Sequence, residues 1–482
     1  MNPSTQSPRL EALLHWWERR RPQLVILLGL LGALLLVALR VTRHATLAGM
    51  LTDKLLLVFP LLAGVLILLH WPQIGMPLWI VAALLVPIEL GTGTKTSLNA
   101  AVLGMVGLLG LWVYQGVTER RGGLDLPRRV VLPLLGLAAT AALALIVGQL
   151  PWFLTAHTAS LSAQMGGLFV FVLAAGAFLL GATRLRERRV LAWTVGLFIL
   201  IGAAQVFWEL ILRFNPSQQV LVLDGVYNHS LFWTWLMALT FSQALINRSL
   251  PRLTRAGLWL IVVALLLHNL GLNSAWTSGW LPGMAAAAVI LVLSGSRLAW
   301  TALALGLVGV AARAQQVRSL LLVGDNEYSL NTRLEAWRLI AEIVARNPLL
   351  GLGPANYYWY TPMFAIRGYA VVFNSHNNYV DLIAQVGIIG LGFFLWFAWK
   401  LGWLGWGART RVTDDFQRAF LIGALGGLAG SLVAMMLGDW LLPFIYNIGF
   451  KGLRASLIAW VFLGALAGVA HAARQPAAED AL

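Results

Sequence analysis

Apolar runs of about 18 residues or more recur from one end of this chain to the other, the mark of helices that cross a bilayer. Inside lipid the backbone must satisfy its own hydrogen bonds, which leaves helices or a closed barrel. Barrel strands would alternate apolar and polar residues with a period of two, so long unbroken apolar runs argue for helices. Composition agrees: 59% of the 482 residues are hydrophobic and 11% charged, against roughly 25% charged in soluble domains. The expected fold is all-α, a polytopic membrane protein.

The pattern predicts about 14 spans. Their centres fall near Ala33, Ala63, Ala83, Leu108, Ala138, Val172, Ile199, Met237, Ala264, Ala287, Leu305, Leu395, Leu428 and Val461. The net charge of +15 would suggest nucleic acid in a soluble protein. Here the basic residues lie mostly in short loops between apolar runs, where topology explains them. Cysteine is absent, which rules out disulfides, thiolate metal sites and Cys nucleophiles. The residues before Pro22 are mixed and charged, and the first apolar run is long enough to stay in the bilayer, so no cleavable leader is expected.

Orientation follows from lysine and arginine bias. Arg19 to Arg21, then Arg120, Arg121, Arg128 and Arg129, then Arg184, Arg186, Arg188 and Arg189, mark alternate loops as cytoplasmic. Arg248, Arg252 and Arg255 continue the series, as do Lys400, Arg409, Arg411 and Arg474; Arg40, Arg43, Lys451 and Arg454 fall on the other side. Both termini are then cytoplasmic. The organisation expected is a bundle over 1–314, an extracytoplasmic loop over 315–378, further spans over 379–472 and a tail over 473–482. The loop is the one long hydrophilic connection, and such connections are usually functional or disordered. Trp337, Tyr357, Tyr358, Trp359, Tyr360 and Phe364 argue for order.

Within the loop, Leu334, Trp337, Ile340 or Ala341, and Val344 recur at helical spacing, so 332–346 is predicted to be an amphipathic helix. Arg333, Glu335, Arg338 and Glu342 occupy its other face, and Glu342 with Arg346 forms an i,i+4 pair. One reading makes this an interfacial helix whose arginines meet lipid headgroups. The other has Arg333 holding a phosphate, because a guanidinium offers paired donors matched to phosphate oxygens. Asn347-Pro348 ends the helix, and Gly351-Leu352-Gly353-Pro354 gives a tight turn without the Gly-Lys-Ser/Thr of a phosphate loop.

His376 stands in Asn374-Ser375-His376-Asn377-Asn378, where Ser375 or Asn374 could cap the next helix. A helix N-terminus favours neutral imidazole, the form able to accept a proton, although a lone histidine is more often structural. Glu89, Glu209 and Asp439 lie in or beside spans, where ionisable groups are suspects by default. Asp439 and His229 should reach the same side as His376, as lining or as ordinary span-end polarity; His70 beside Trp71 reads as an interface marker. No Asp-x-Asp pair in the loop and no His-Glu-x-x-His motif appears, so no metal is expected.

Arg333 and Trp337, then Asn347-Pro348-Leu349-Leu350-Gly351-Leu352-Gly353-Pro354, then His376-Asn377 running into Gln385-Val386-Gly387-Ile388-Ile389-Gly390, together resemble the O-antigen ligase and polymerase superfamily. Val226-Tyr227-Asn228-His229-Ser230 resembles a weaker upstream motif of that family. The resemblance implies a bacterial inner-membrane glycosyltransferase with an extracytoplasmic active face. It would take a glycan from a polyprenyl-diphosphate carrier to an acceptor sugar hydroxyl, inverting and without metal or cofactor. Ligases use a lipopolysaccharide core as acceptor, polymerases another lipid-linked unit. Transferred to this chain, His376 would be catalytic and Arg333, Arg338 and Arg367 would bind diphosphate, with Asn377, His229 and Asp439 as candidate lining.

Family members usually carry a second arginine at the outer end of a span before the loop. Ser294-Gly295-Ser296-Arg297 carries one on the predicted cytoplasmic side, while the better-placed Asn273 to Trp280 has none. Arg313, Arg318 or Arg367 are the candidates to replace it. The partners expected are the lipid-linked glycan, a glycan or glycolipid acceptor and membrane lipid, not nucleic acid. The rival readings are a lipid or polysaccharide transporter, though no repeated halves are visible, and a non-catalytic relative that binds lipid-linked glycan.

Overall fold

A computed structural model describes residues 71–87, 89–91, 97–118, 125–214, 226–295 and 325–475, with 300, 301, 304 and 308 besides. Apart from the first two of these residues, they belong to the compact unit Gln73–Leu482. Helices dominate: α1 Gly75–Leu85, α2 Ala100–Thr118, α3 Arg128–Val147, α4 Leu161–Arg184, α5 Arg188–Phe214, α6 Ser230–Ile246, α7 Arg252–Leu266 and α8 Thr277–Ser294. After these come α9 Asp325–Val344, the short α10 Tyr357–Tyr360, α11 Asn378–Ala408, α12 Asp415–Leu437 and α13 Gly449–Ala472. A π-helical turn, Leu267–Leu272, extends α7. Strands β1 Glu89–Gly91 and β2 Ser97–Asn99 form a small antiparallel ribbon, pairing Glu89 with Asn99. Hydropathy could not have announced so short a ribbon.

Among the described residues, nine helices are long and apolar enough to cross a membrane, and Pro72–Leu85 and Ser230–Ile246 are shorter apolar helices. The described residues thus form a predominantly helical bundle with many candidate spans, as expected of a polytopic membrane protein. The predicted centres from Ala83 to Ala287, and Leu395, Leu428 and Val461, fall inside helices; Ala33, Ala63 and Leu305 lie outside the described residues.

Helix α13 is the axis of the bundle, buried at every position from Gly452 to Ala470. Lipid gives no hydrophobic drive between spans, so close backbone packing must do that work. A Cβ at Gly464 would lie 2.0 Å from Phe178 O, and one at Gly181 2.2 Å from Val461 O. Helices α4 and α13 therefore touch backbone to backbone. Charges gather at one end of the bundle: Arg186 meets Asp125 at 3.0 Å, His471 meets Asp125 at 2.9 Å, and Arg188 meets Asp414 at 2.8 Å.

The 345–377 connection sits at the opposite end and is ordered by an interruption in α11. Gly387 has φ +70°, and the helix breaks there. The turn after α9 fills the break. Leu352 N–H donates to Ala384 O (2.9 Å), Gly353 N–H to Gln385 O (3.2 Å), Ile388 N–H to Pro348 O (2.9 Å) and Ile389 N–H to Leu349 O (3.2 Å). Groups orphaned by the broken helix are thereby satisfied, the condition for irregular backbone at membrane depth. A Cβ on Gly387 would stand 2.0 Å from Leu349 O, and one on Gly351 2.7 Å from Val386 N. Only glycine permits that approach.

Asn356 ties the same turn to the α3–α4 connection, accepting from Ala159 N–H (3.0 Å) and donating to Gly148 O (2.9 Å). Phe153, Ile340, Ile343, Leu352, Tyr357, Tyr360 and Phe444 close a local core over it. Burying each such side chain contributes roughly 1.5–3 kcal/mol.

Candidate active site

Helix α9 is amphipathic, as expected, but its buried stripe differs from the predicted one. Ala336, Ile340, Ile343 and Val344 are buried, whereas Leu334 and Ala341 are exposed and Trp337 is half-buried. The local core lies against Ile343 and Val344, and this turns the helix away from the stripe that starts at Leu334. The expected Glu342–Arg346 pair is also replaced. Glu342 meets Arg338 at 3.3 Å, while the Arg346 guanidinium lies 5.5 Å from the Phe153 ring centre.

Trp337 Nε1 donates to Ser375 O at 2.7 Å, which fastens α9 to the segment before α11. Arg333 stands one helical turn earlier, on the same face. It is half-buried, and among the described residues its guanidinium has no hydrogen bond and no acidic partner. Burial lowers its pKa, a sign of a cation partly stripped of water. The other two arginines have partners: Arg338 has Glu342, and Arg367 Nε meets Glu335 at 3.1 Å.

His376 has φ +48°, a conformation rarely held by residues other than glycine. Its neighbours pin it there. Ser375 Oγ accepts from Asn377 N–H (2.9 Å) and lies 2.7 Å from Asp381 Oδ1, which also accepts from Tyr357 OH at 2.5 Å. The cap of α11 is Asn377, not Ser375 or Asn374: its side chain accepts from Tyr379 N–H (2.9 Å) and Val380 N–H (3.3 Å). Ser375 is occupied one step earlier, holding the bend. Asn377 Nδ2 also donates to Met436 O at 3.2 Å.

The His376 ring is reached by solvent, yet surrounding protein disfavours its charged form, and the positive charge of Arg333 adds to this. Its pKa therefore falls below the ordinary histidine value. Asn447 Nδ2 lies 3.4 Å from His376 Nδ1 and donates to Asp439 Oδ1 at 2.7 Å. Asp439 is buried, which raises its pKa, and its Oδ2 accepts from Phe444 N–H at 2.9 Å. His376, Arg333, Asp439 and Asn377 thus share one neighbourhood.

His229 is fully buried, its ring 4.8 Å from that of Trp440, and burial holds its pKa down to about 3. It stands beside the Asp439 connection as a neutral ring whose Nε2 has no partner among the described residues. Arg297, Arg313 and Arg318, and His70, lie outside the described residues. Where no arginine was found, Asn273 instead meets His268 at 2.9 Å, and His268 pairs with Glu209.

Sequence reasoning missed Asn447, Tyr357 and Asp381. Asp381 had a visible signal, a carboxylate in the first turn of an apolar run. Asn447 had none, since its value comes from a contact across 71 residues. Among the described residues no group of three or more His, Asp or Glu could hold a metal ion.

The whole constellation of Arg333, Trp337 and His376 falls inside one matched region. No curated protein matches the chain. Residues 253–395 match the family model described as O-Antigen ligase, from the start of α7 to the middle of α11. That region of the chain is therefore similar to the O-antigen ligase family.

Proposed function

We propose that this protein is a membrane glycosyltransferase that moves a glycan from a polyprenyl-diphosphate carrier to an acceptor sugar hydroxyl, as an O-antigen ligase or a polysaccharide polymerase. The observation that carries the reading is a half-buried Arg333, without an acidic partner among the described residues, one turn along α9 from the Trp337 that holds Ser375 beside a solvent-reached His376, all inside the matched region. A desolvated guanidinium without an acid is a site for an anion, and diphosphate oxygens suit its paired donors.

The diphosphate is already a good leaving group, so the protein's task is to bind its charge and align the attack. Arg333 holds the diphosphate, with Arg338 and Arg367 on the flank of the loop. His376 meets the reaction centre during inverting displacement at the anomeric carbon, taking the hydroxyl proton or orienting the reacting oxygens. The active face is extracytoplasmic, where the carrier-linked glycan is displayed, and the surrounding spans hold the polyprenyl chain.

Reconstitution with a lipid-linked oligosaccharide and candidate acceptors, with products read by mass, tests this. A new glycosidic bond is expected from the wild type, and none from His376→Ala in protein that is still folded. Movement of lipid across the vesicle with no new bond would instead support a transporter.

A further inference from the structure

Among the described residues the His376 ring has one hydrogen-bond partner, and that partner is a donor. Asn447 Nδ2 faces Nδ1 of the ring at 3.4 Å. The orientation of the Asn447 amide is not free. Asp439 accepts at both oxygens, from Phe444 N–H at Oδ2 (2.9 Å) and from Asn447 at Oδ1 (2.7 Å). An ionised Asp439 offers only lone pairs, and toward it the amide turns its NH₂. The second hydrogen of the same nitrogen then meets His376 Nδ1. A ring nitrogen that accepts carries no proton, so neutral His376 keeps its proton on Nε2. The open edge of the ring is an N–H.

The groups packed around the ring agree. From α9 the charge of Arg333 reaches the ring, and a guanidinium can only donate. From the connection after α12 come Asn447 and, behind it, Asp439. Beneath the segment lie Ser375, Tyr357 and Asp381, all joined to one another. None of these gives Nδ1 an acceptor. The arrangement thus differs from a relay in which a carboxylate or carbonyl takes the Nδ1 proton and leaves Nε2 free as a base.

We propose that Asn447, anchored by Asp439, is a positioning residue that fixes His376 as an Nε2–H donor, and that this donor joins Arg333 on an oxygen of the carrier's diphosphate. The proposal rests on the glycosyl-transfer reading above. In the step, a lone pair of the acceptor hydroxyl forms the bond to the anomeric carbon. The bond from that carbon to the diphosphate oxygen breaks, and its electron pair stays on the diphosphate, where Arg333 and Nε2–H meet the growing charge. The hydroxyl proton passes to water.

Full-length protein in vesicles, supplied with a polyprenyl-diphosphate-linked oligosaccharide and a glycan acceptor, is assayed between about pH 5 and pH 8. The wild-type rate is expected to persist as the ring titrates, since imidazolium also donates from Nε2. His376→Gln, which can donate but cannot take up a proton, is expected to keep kcat within about tenfold of wild type, while His376→Ala loses about a hundredfold or more. Asn447→Leu frees the other tautomer. Its kcat above the ring pKa is expected to fall about tenfold with the acceptor KM unchanged, and to recover as the pH drops below that pKa, where imidazolium again donates from Nε2. The wild-type profile and His376→Gln keep the test decisive should Asn447→Leu not fold. Wild-type activity that falls tenfold per pH unit below the ring pKa, with His376→Gln inactive, overturns the proposal while leaving glycosyl transfer standing. A wild type that forms no product with any acceptor overturns the glycosyl-transfer reading, and the proposal with it.

Discussion

Two histidines at the same end of the bundle have opposite surroundings. His268, in the π-helical turn after α7, is consumed by the protein: Nε2 meets Glu209 and Asn273, Nδ1 meets Asn269 Oδ1 at 3.0 Å, and the ring stacks on Trp233 at 4.3 Å. Among the described residues His376 has one long contact, to an amide, and it is open to solvent. The arginines repeat the contrast, with Arg338 and Arg367 paired to loop acids and Arg333 unpaired among the described residues. A charged or titratable group near a membrane is expensive unless satisfied. Groups that the fold leaves unsatisfied therefore mark where a ligand completes the set, while fully partnered ones mark where the fold is being held.

The largest effect that would break this contrast is loss of the frame itself. Gly387→Ala sets a Cβ 2.0 Å from Leu349 O at φ +70°. It is expected to cost on the order of 3 kcal/mol or more, lowering folded yield and transfer together. Next, His376→Ala is expected to remove transfer by a hundredfold or more with an unchanged melting temperature. His268→Ala should do the reverse, lowering the melting temperature by several degrees while each folded molecule keeps activity within several-fold. Equal effects of the two on activity would erase the distinction.

Arg333→Ala should weaken binding of the carrier lipid about tenfold or more, measured on vesicles. Arg338→Ala should change it less than about threefold, because an exposed i,i+4 pair contributes little. The smallest effect sharpens the picture of buried histidines. His229 titrates near 3 when folded and near its ordinary 6.5 when unfolded. Between those values the unfolded chain binds a proton that the folded chain refuses. Its contribution to stability is complete above the unfolded pKa and is lost as pH falls toward the folded one. His229→Gln should flatten that decline by on the order of 1 kcal/mol per pH unit, read from denaturation at pH 7, 6 and 5.

Spans were legible because lipid imposes a length and a composition, and both are written locally in the chain. The loop helix was legible by its period, but the face it buries was not. That face is chosen by Phe153, Leu352 and Phe444, which arrive from distant connections. The spacing of Asn347-Pro348 and of Gly351, Gly353 and Gly387 looked like a motif without a mechanism. Its physical content is a turn that replaces hydrogen bonds across a broken helix. His376 and Arg333 were visible as residue types in a long hydrophilic connection. That Arg333 is unpaired among the described residues and Arg338 is not could only come from geometry. Asn447 was invisible because an ordinary asparagine becomes informative only when a buried carboxylate fixes its orientation.

The most direct measurement is glycan transfer by purified protein in vesicles, with a polyprenyl-diphosphate-linked oligosaccharide, a glycan acceptor and products read by mass. The account predicts a new glycosidic product and released polyprenyl diphosphate from the wild type, loss of both in His376→Ala, and sharply weaker carrier binding in Arg333→Ala. Equal product from His376→Ala and Arg333→Ala would contradict it.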